Sequence, residues 1–231
     1  MRTLLLDCGN TRLKWRIDDQ SARQDSGHVS SAEGILAGLK ALELSTTFDR
    51  VALASVLDPV ETDNAVEYCI DRWGVTPFVA KTVKRACGVT CAYADPERMG
   101  VDRWLALIEV WSKYRRSACV VDCGSAVTVD LLASKGVHLG GFIVPGLRLG
   151  ISGLLRGTEQ VSVDYDMLSS SSIGFGKNTT EAVYHGAIFN LLAMIEKART
   201  ALDAASAESP LLVLTGGDSV LISKFIDIDH K

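Results

Sequence analysis

No excess of positive charge is present in this chain: 24 Lys and Arg stand against 28 Asp and Glu, for a net charge of −4 and a pI near 5.6. Such a balance leaves no broad basic surface for a polyphosphate backbone, so nucleic acid is not expected as a main partner. Nor does any apolar run approach the roughly 18 residues of a membrane span. The opening Met1-Arg2-Thr3-Leu4-Leu5-Leu6 is too short for a signal peptide and is interrupted by Asp7. No membrane partner and a cytoplasmic location are the expectations. Histidine is scarce, and His28, His138, His185 and His230 form no local ligand pattern. Cysteine occurs at 8, 69, 87, 91, 119 and 123, yet Cys87-Gly-Val-Thr-Cys91 lacks a second Cys or His pair at zinc-finger spacing, so reduced, buried or half-buried thiols are expected. Low-complexity sequence is missing too; Ser169–Ser172 is the one biased run and reads as a surface loop.

What is there is an ordinary globular composition, 47% hydrophobic and 23% charged, in a chain of 231 residues that can build one large domain or two smaller ones. Two stretches nearly repeat each other. Leu4-Leu5-Leu6-Asp7-Cys8-Gly9-Asn10-Thr11 and Cys119-Val120-Val121-Asp122-Cys123-Gly124-Ser125-Ala126 each run an apolar strand into Asp-Cys-Gly and a small polar residue. Glycine there lets a turn approach a phosphate, with successive backbone N–H groups aimed at one anion. The copies lie about half a chain apart, which predicts one nucleotide held between two related lobes, residues 1–115 and 116–231.

Hydrophobic spacing predicts an α/β order in the first half: strand Thr3–Cys8, hairpin partner Lys14–Ile17, a helix over Ser31–Leu44 capped by Ser30 or Ser31, strand Asp49–Val56, helix Glu61–Trp73 and strand Thr76–Ala80. A loop-rich stretch from Thr82 to Met99 precedes a helix over Val101–Tyr114. The second half repeats the opening with strands Ala118–Cys123, Val127–Leu132 and Leu139–Val144, then Leu211–Leu214. Turns and a short mobile helix are expected within Phe142–Gly157, where proline and glycine recur. The longest helix is expected from Thr179 to about Ala204, capped by Asn178 with Glu181 replying from the third helical position.

Asp7-x-Gly9-Asn10-Thr11-x-x-Lys14 gathers a carboxylate, a bare turn, two hydrogen-bonding side chains and a cation. Beside a nucleoside triphosphate, Asp7 can hold a hydrated magnesium, Gly9 to Thr11 can donate to phosphate oxygens, and Lys14 can offset their charge. Taken alone, the same residues also suit a hairpin turn with a solvated lysine. Asp122-x-Gly124-Ser125-Ala126-x-Thr128-x-Asp130 repeats the Asp-Cys-Gly core, and Thr215-Gly216-Gly217-Asp218 adds a third strand-ending turn where a purine and ribose could lie against backbone.

The set resembles the actin-like ATPase superfamily, in which two ribonuclease-H-like lobes with mixed sheets flanked by helices close on ATP. More narrowly, Asp7-Cys-Gly-Asn-Thr-x-x-Lys14, Gly100-Val-Asp-Arg-Trp104, Asp122-Cys-Gly-Ser-Ala126, Gly140-Gly-Phe-Ile-Val-Pro-Gly146, Gly176-Lys-Asn-Thr179 and Thr215-Gly-Gly-Asp218 are together similar to type III pantothenate kinase. The resemblance implies ATP- and Mg2+-dependent phosphorylation of pantothenate at its primary hydroxyl, towards coenzyme A. It implies Asp102 as general base and Arg103 as a substrate ligand, with Tyr93, Gly100, Val101 and Thr179 also on the substrate side. Thr179 would act from the partner subunit of a homodimer with a shared active site. The resemblance assigns ATP to Asp7, Cys8, Gly9, Asn10, Thr11, Arg12, Leu13, Lys14 and Ser125, and a monovalent cation, K+ or NH4+, to Asp122.

The chain departs from the family pattern in two places: Ser125 stands where threonine is usual, and the sequence stops at Lys231 where relatives continue through another short helix and strand. The Ile188–Met194 face, with Leu191 and Leu192, is the expected dimer interface. Two other readings stay open at this point. One is another small-molecule kinase of the superfamily, and the other is a non-catalytic regulatory relative.

Overall fold

The computed structural model describes residues 1–19, 25–44, 47–158, 162–163, 173–206 and 208–226. The expected serine loop at 169–172 lies outside them. Two compact units are present, one of residues 1–83 and 95–105, the other of residues 84–94 and 106–231. Residues 84–94 and 106–115, expected with the first lobe, thus belong to the second unit.

In the first unit, β1 (Thr3–Cys8), β2 (Arg12–Asp18), β3 (Asp25–Ser30), β4 (Arg50–Ser55) and β5 (Phe78–Val79) form one sheet in the order β3-β2-β1-β4-β5. β1 is antiparallel to β2 and parallel to β4. Strict alternation along β1 sends Leu4, Leu6 and Cys8 into a core with Leu13, Val51 and Leu53, where α1 (Ile35–Lys40) contributes Ile35 and Leu39, and α2 (Pro59–Trp73) contributes Ala65 and Cys69. Asp58 caps α2 by accepting from the Glu61 amide at 2.9 Å, with Pro59 at the first helical position and Gly74 ending the helix in the left-handed region.

The expected helix over Ser31–Leu44 is cut to α1. Ser31 cannot cap it because its hydroxyl donates to the Gly9 carbonyl at 2.7 Å, and Ser30 remains in β3. The Ile35 amide instead takes its acceptor from the Glu61 carboxylate of α2 at 3.0 Å.

The second unit contains β6 (Arg85–Ala86), β7 (Val89–Thr90), β8 (Ala118–Cys123), β9 (Ala126–Ala133), β10 (Val137–Pro145) and β11 (Leu211–Thr215), ordered β11-β8-β9-β10-β7-β6. Its β10-β9-β8-β11 portion repeats the β3-β2-β1-β4 order, again with an antiparallel first pair and a parallel fourth strand. The repeated Asp-Cys-Gly is therefore a repeat of topology. Within the loop-rich stretch, β6 and β7 form a small hairpin through Cys87 and Gly88, both at positive φ, the backbone that a two-residue hairpin turn demands.

Four further α-helices are present among the described residues: α3 (Val101–Tyr114), α4 (Leu147–Gly157), α5 (Thr179–Ala204) and α6 (Ser219–Ser223). α5 has its expected Asn178 cap, which accepts from the Glu181 amide at 2.9 Å, while the Glu181 carboxylate answers to the Lys177 amide at 2.8 Å. That bond holds the Glu181 acid below the usual carboxylate range. Tyr184, Ile188, Leu191, Ile195, Ala198 and Leu202 recur at helical spacing and pack into the core with Val121, Val127 and Leu212. Ile188 and Leu191 of the expected interface are buried in this core, with Leu192 and Met194 half-buried against them, so Ile188 and Leu191 are not surface residues available to a second copy.

Candidate active site

The first Asp-Cys-Gly turn connects β1 to β2. Asp7 and Lys14 are register partners across these strands, and Lys14 Nζ stands 3.1 Å from Asp7 Oδ2 with both side chains exposed. Gly9 closes the turn by donating to the Arg12 carbonyl at 3.1 Å, and the Ser31 amide holds the Thr11 carbonyl at 3.2 Å. Asn10, Thr11 and Arg12 are exposed, whereas Cys8 and Leu13 are fully buried. These two can therefore contribute backbone only. Burial, with Asp7 and Cys69 nearby, pushes the Cys8 thiol up to about 12.

The second turn connects β8 to β9 and closes in the same way, Gly124 donating to the Ala126 carbonyl at 3.1 Å. Two distant glycines complete its surroundings. Gly146, at the start of α4, donates to the Ser125 carbonyl at 2.9 Å, and a Cβ there would strike the backbone of Gly124 and Ser125. Gly216, at φ +91°, would with any side chain run into the Asp122 carboxylate and the Cys123 backbone. The Asp218 amide then binds the Cys123 carbonyl at 2.9 Å. Three sequence motifs thus converge on Asp122–Ser125 as a cradle made largely of backbone. Asp122 is also the register partner of Thr128 on one side and Thr215 on the other, which puts a carboxylate and two hydroxyl residues on one sheet face.

Gly100, Val101, Asp102 and Arg103 open α3. The Gly100 carbonyl accepts from the Trp104 amide at 3.2 Å, while the Asp102 carboxylate folds back to accept from the Arg103 amide at 2.8 Å. A Cβ on Gly100 would lie 2.6 Å from Asp102 Oδ1, so the glycine makes room for that carboxylate. Asp102 is exposed and Arg103 is buried, only 6% accessible, unlike the partner of a surface salt bridge. The approach to α3 is anchored by the buried Thr82 hydroxyl, which donates to the Met99 carbonyl at 2.9 Å.

Tyr93, half-buried, follows β7. Its carbonyl accepts from Lys84 Nζ at 3.0 Å, and its ring lies parallel to that of His138 at 6.4 Å. Thr179 is the exposed first residue of α5 and lines a cavity of about 760 Å³ with Gly146, Ile151, Leu154, Asn178 and Asn190. Gly176 permits this placement, because a Cβ there would collide with the backbone of Glu181 and Ala182. Asp7–Lys14 and Gly100–Arg103 lie in the first unit; Tyr93, Asp122, Ser125 and Thr179 lie in the second.

The paired sheets with strand-ending glycine turns define a protein of the actin-like ATPase and sugar-kinase fold. The ROK hexokinase of Thermus thermophilus shares it at a TM-score of 0.50 and 15% identity, over 96% of this chain and 83% of that one. Within this class the chain belongs to the type III pantothenate kinase family, whose model matches residues 3–201. It is 34% identical over 228 residues to a type III pantothenate kinase of Chromohalobacter salexigens, covering 97% of this chain and 80% of the relative. The corresponding figures for the Acinetobacter baylyi enzyme are 34% over 238 residues, 100% and 91%.

Among the described residues no helix is long and apolar enough to cross a membrane, and no group of three His, Cys, Asp or Glu is placed to hold a metal ion. The Cys87–Cys91 pair is split, Cys87 exposed and Cys91 buried, and none of the six cysteines is in a disulfide.

Proposed function

We infer that this chain is an ATP-dependent pantothenate kinase acting towards coenzyme A, in the cytoplasm, with Asp102 as general base. The observation that carries the catalytic assignment is the Asp102 carboxylate, exposed in the first turn of α3 above a glycine that clears space for it. Phosphoryl transfer needs mainly positioning and charge neutralisation, and a carboxylate near the attacking hydroxyl takes its proton as the bond to phosphorus forms. Arg103 pairs with the pantothenate carboxylate, a two-pronged contact that lysine imitates poorly.

ATP is assigned to Asp7 through Lys14 and to Ser125, with Cys8 and Leu13 acting through backbone. Mg2+ bound with the nucleotide neutralises phosphate charge, and the exposed Asp7 carboxylate beside a bare turn suits a cation that keeps most of its waters. Asp122 is assigned to a monovalent cation, K+ or NH4+. Its neighbours Thr128 and Thr215 supply oxygen, the donor type a hard cation takes. The substrate side comprises Tyr93, Gly100, Val101, Asp102, Arg103 and Thr179, with Thr179 completing the site of a second copy in a homodimer.

ADP release measured with pantothenate and a panel of sugars and other alcohols tests the reading. Turnover with pantothenate is the expected result. Turnover with a sugar and none with pantothenate would overturn it.

A further inference from the structure

Asp130 closes the repeated motif around the second phosphate turn, yet it lies well along β9 from that turn and has no place in the mechanism above. It is buried at 2% accessibility, and so is His138, whose Nε2 stands 3.0 Å from Asp130 Oδ1. The other ring nitrogen is also engaged: the Ala92 amide donates to His138 Nδ1 at 3.4 Å. An acceptor at Nδ1 requires the proton on Nε2, which then donates to the Asp130 carboxylate. The carboxylate therefore fixes both the tautomer and the direction of the ring. The ring in turn lies parallel to that of Tyr93.

The sheet explains why such support is needed. β7 pairs with β10 at Val137 and Thr90, and beyond that point the chain through Cys91, Ala92 and Tyr93 leaves the ladder. His138, the next residue along β10, offers its side chain where the next strand pairing would otherwise be. From the opposite end Lys84 grips the Tyr93 carbonyl, and its own carbonyl accepts from the Cys91 amide at 2.9 Å.

We propose that the buried Asp130–His138 pair is a positioning device for pantothenate recognition, holding the Ala92–Tyr93 backbone and the Tyr93 ring in place for substrate. The inference rests on the assignment of Tyr93 to the substrate side. Neither His138 nor Asp130 touches the reacting atoms. Both act through Tyr93.

The test compares His138→Gln with Tyr93→Ala. Glutamine places an amide N–H near the former Nε2, so Asp130 keeps a donor, while the acceptor for Ala92 and the stacking ring are lost. KM for pantothenate is expected to rise about three- to tenfold, the worth of one net hydrogen bond. KM for ATP and kcat should each change less than about twofold on that same scale. Amide hydrogen exchange of the segment spanning 91–94 should accelerate in His138→Gln, a readout independent of turnover. If Tyr93→Ala raises the pantothenate KM and His138→Gln leaves both KM and exchange unchanged, the positioning role is overturned and the Tyr93 assignment stands. If Tyr93→Ala leaves KM unchanged, the Tyr93 assignment fails and takes the positioning role with it. Equal losses in both KM values and kcat, with a lower melting temperature, would reduce the pair to a fold element and also overturn the proposal.

Discussion

The amide of Gly146 donates to the carbonyl of Ser125 at 2.9 Å, tying the start of α4 to the second Asp-Cys-Gly turn. A methyl group at Gly146 has backbone on its path at both Gly124 and Ser125, and backbone cannot swing aside as a side chain can. Gly146→Ala should therefore displace the turn and cost about 1–3 kcal/mol, the range for overpacking a tight site. Gly153, in the interior of the same helix, has open space around its Cβ position. Gly153→Ala should be neutral or stabilise by up to about 1 kcal/mol through helix propensity. Thermal melts of both variants, with KM for ATP, check the contrast: only Gly146→Ala should lose stability and nucleotide affinity.

Asp102→Asn should lower kcat by about 10²- to 10⁴-fold, the usual range for removing a general base. The amide retains an oxygen that can accept from the Arg103 amide, a contact now 2.8 Å long, so helix α3 should start as before. Circular dichroism and ATP affinity are expected to match the parent protein. Unchanged turnover would remove Asp102 from the role.

The α/β class, the long α5 from Thr179 to Ala204 and the helix Val101–Tyr114 were all legible, because apolar residues recur at helical spacing and Asn178 is a strong start signal. The two matching Asp-Cys-Gly turns were legible for a different reason, the near-identity of two short segments. The start of α1 was not, since Ser31 spends its hydroxyl on Gly9 and the helix borrows Glu61 from α2, a tertiary contact that local propensity does not contain. The surroundings of Ile188 and Leu191 were misread for a related reason. Periodicity marks Ile188 and Leu191 as apolar and one-sided, but whether a sheet or a second subunit covers them is decided by β8 and β9. His138 gave no local pattern because its partners, Asp130 and Ala92, come from separate strands and loops.

Burial pushes the thiols of Cys8, Cys69, Cys119 and Cys123 up from about 9 to about 12. Since the thiolate is the nucleophile, these groups should be inert to alkylation of the native protein at pH 8. Cys87, exposed at the β6–β7 turn, should label rapidly and alone. A raised thiol pKa favours the folded state fully below the unfolded value, and that contribution is lost as pH rises from about 9 through about 12. Mass spectrometry after brief iodoacetamide treatment should find one modified residue, and denaturant melts should show stability falling above pH 9.

Ile188 and Phe189 are neighbours on α5 with opposite surroundings: Ile188 is fully buried, while Phe189 is 67% accessible. Ile188→Ala removes buried methyl groups from the core shared with Val127 and Leu212, and should cost about 2–5 kcal/mol according to how far that core can collapse. Phe189→Ala removes a larger group that packs little against its own chain, so its cost to the folded protomer should stay within about 0.5 kcal/mol. Urea denaturation of both variants at several protein concentrations checks this. Ile188→Ala should lower the midpoint at every concentration. A midpoint shift in Phe189→Ala that grows with concentration would place that ring at the contact between the two copies of the proposed homodimer, since association stabilises the folded state by mass action.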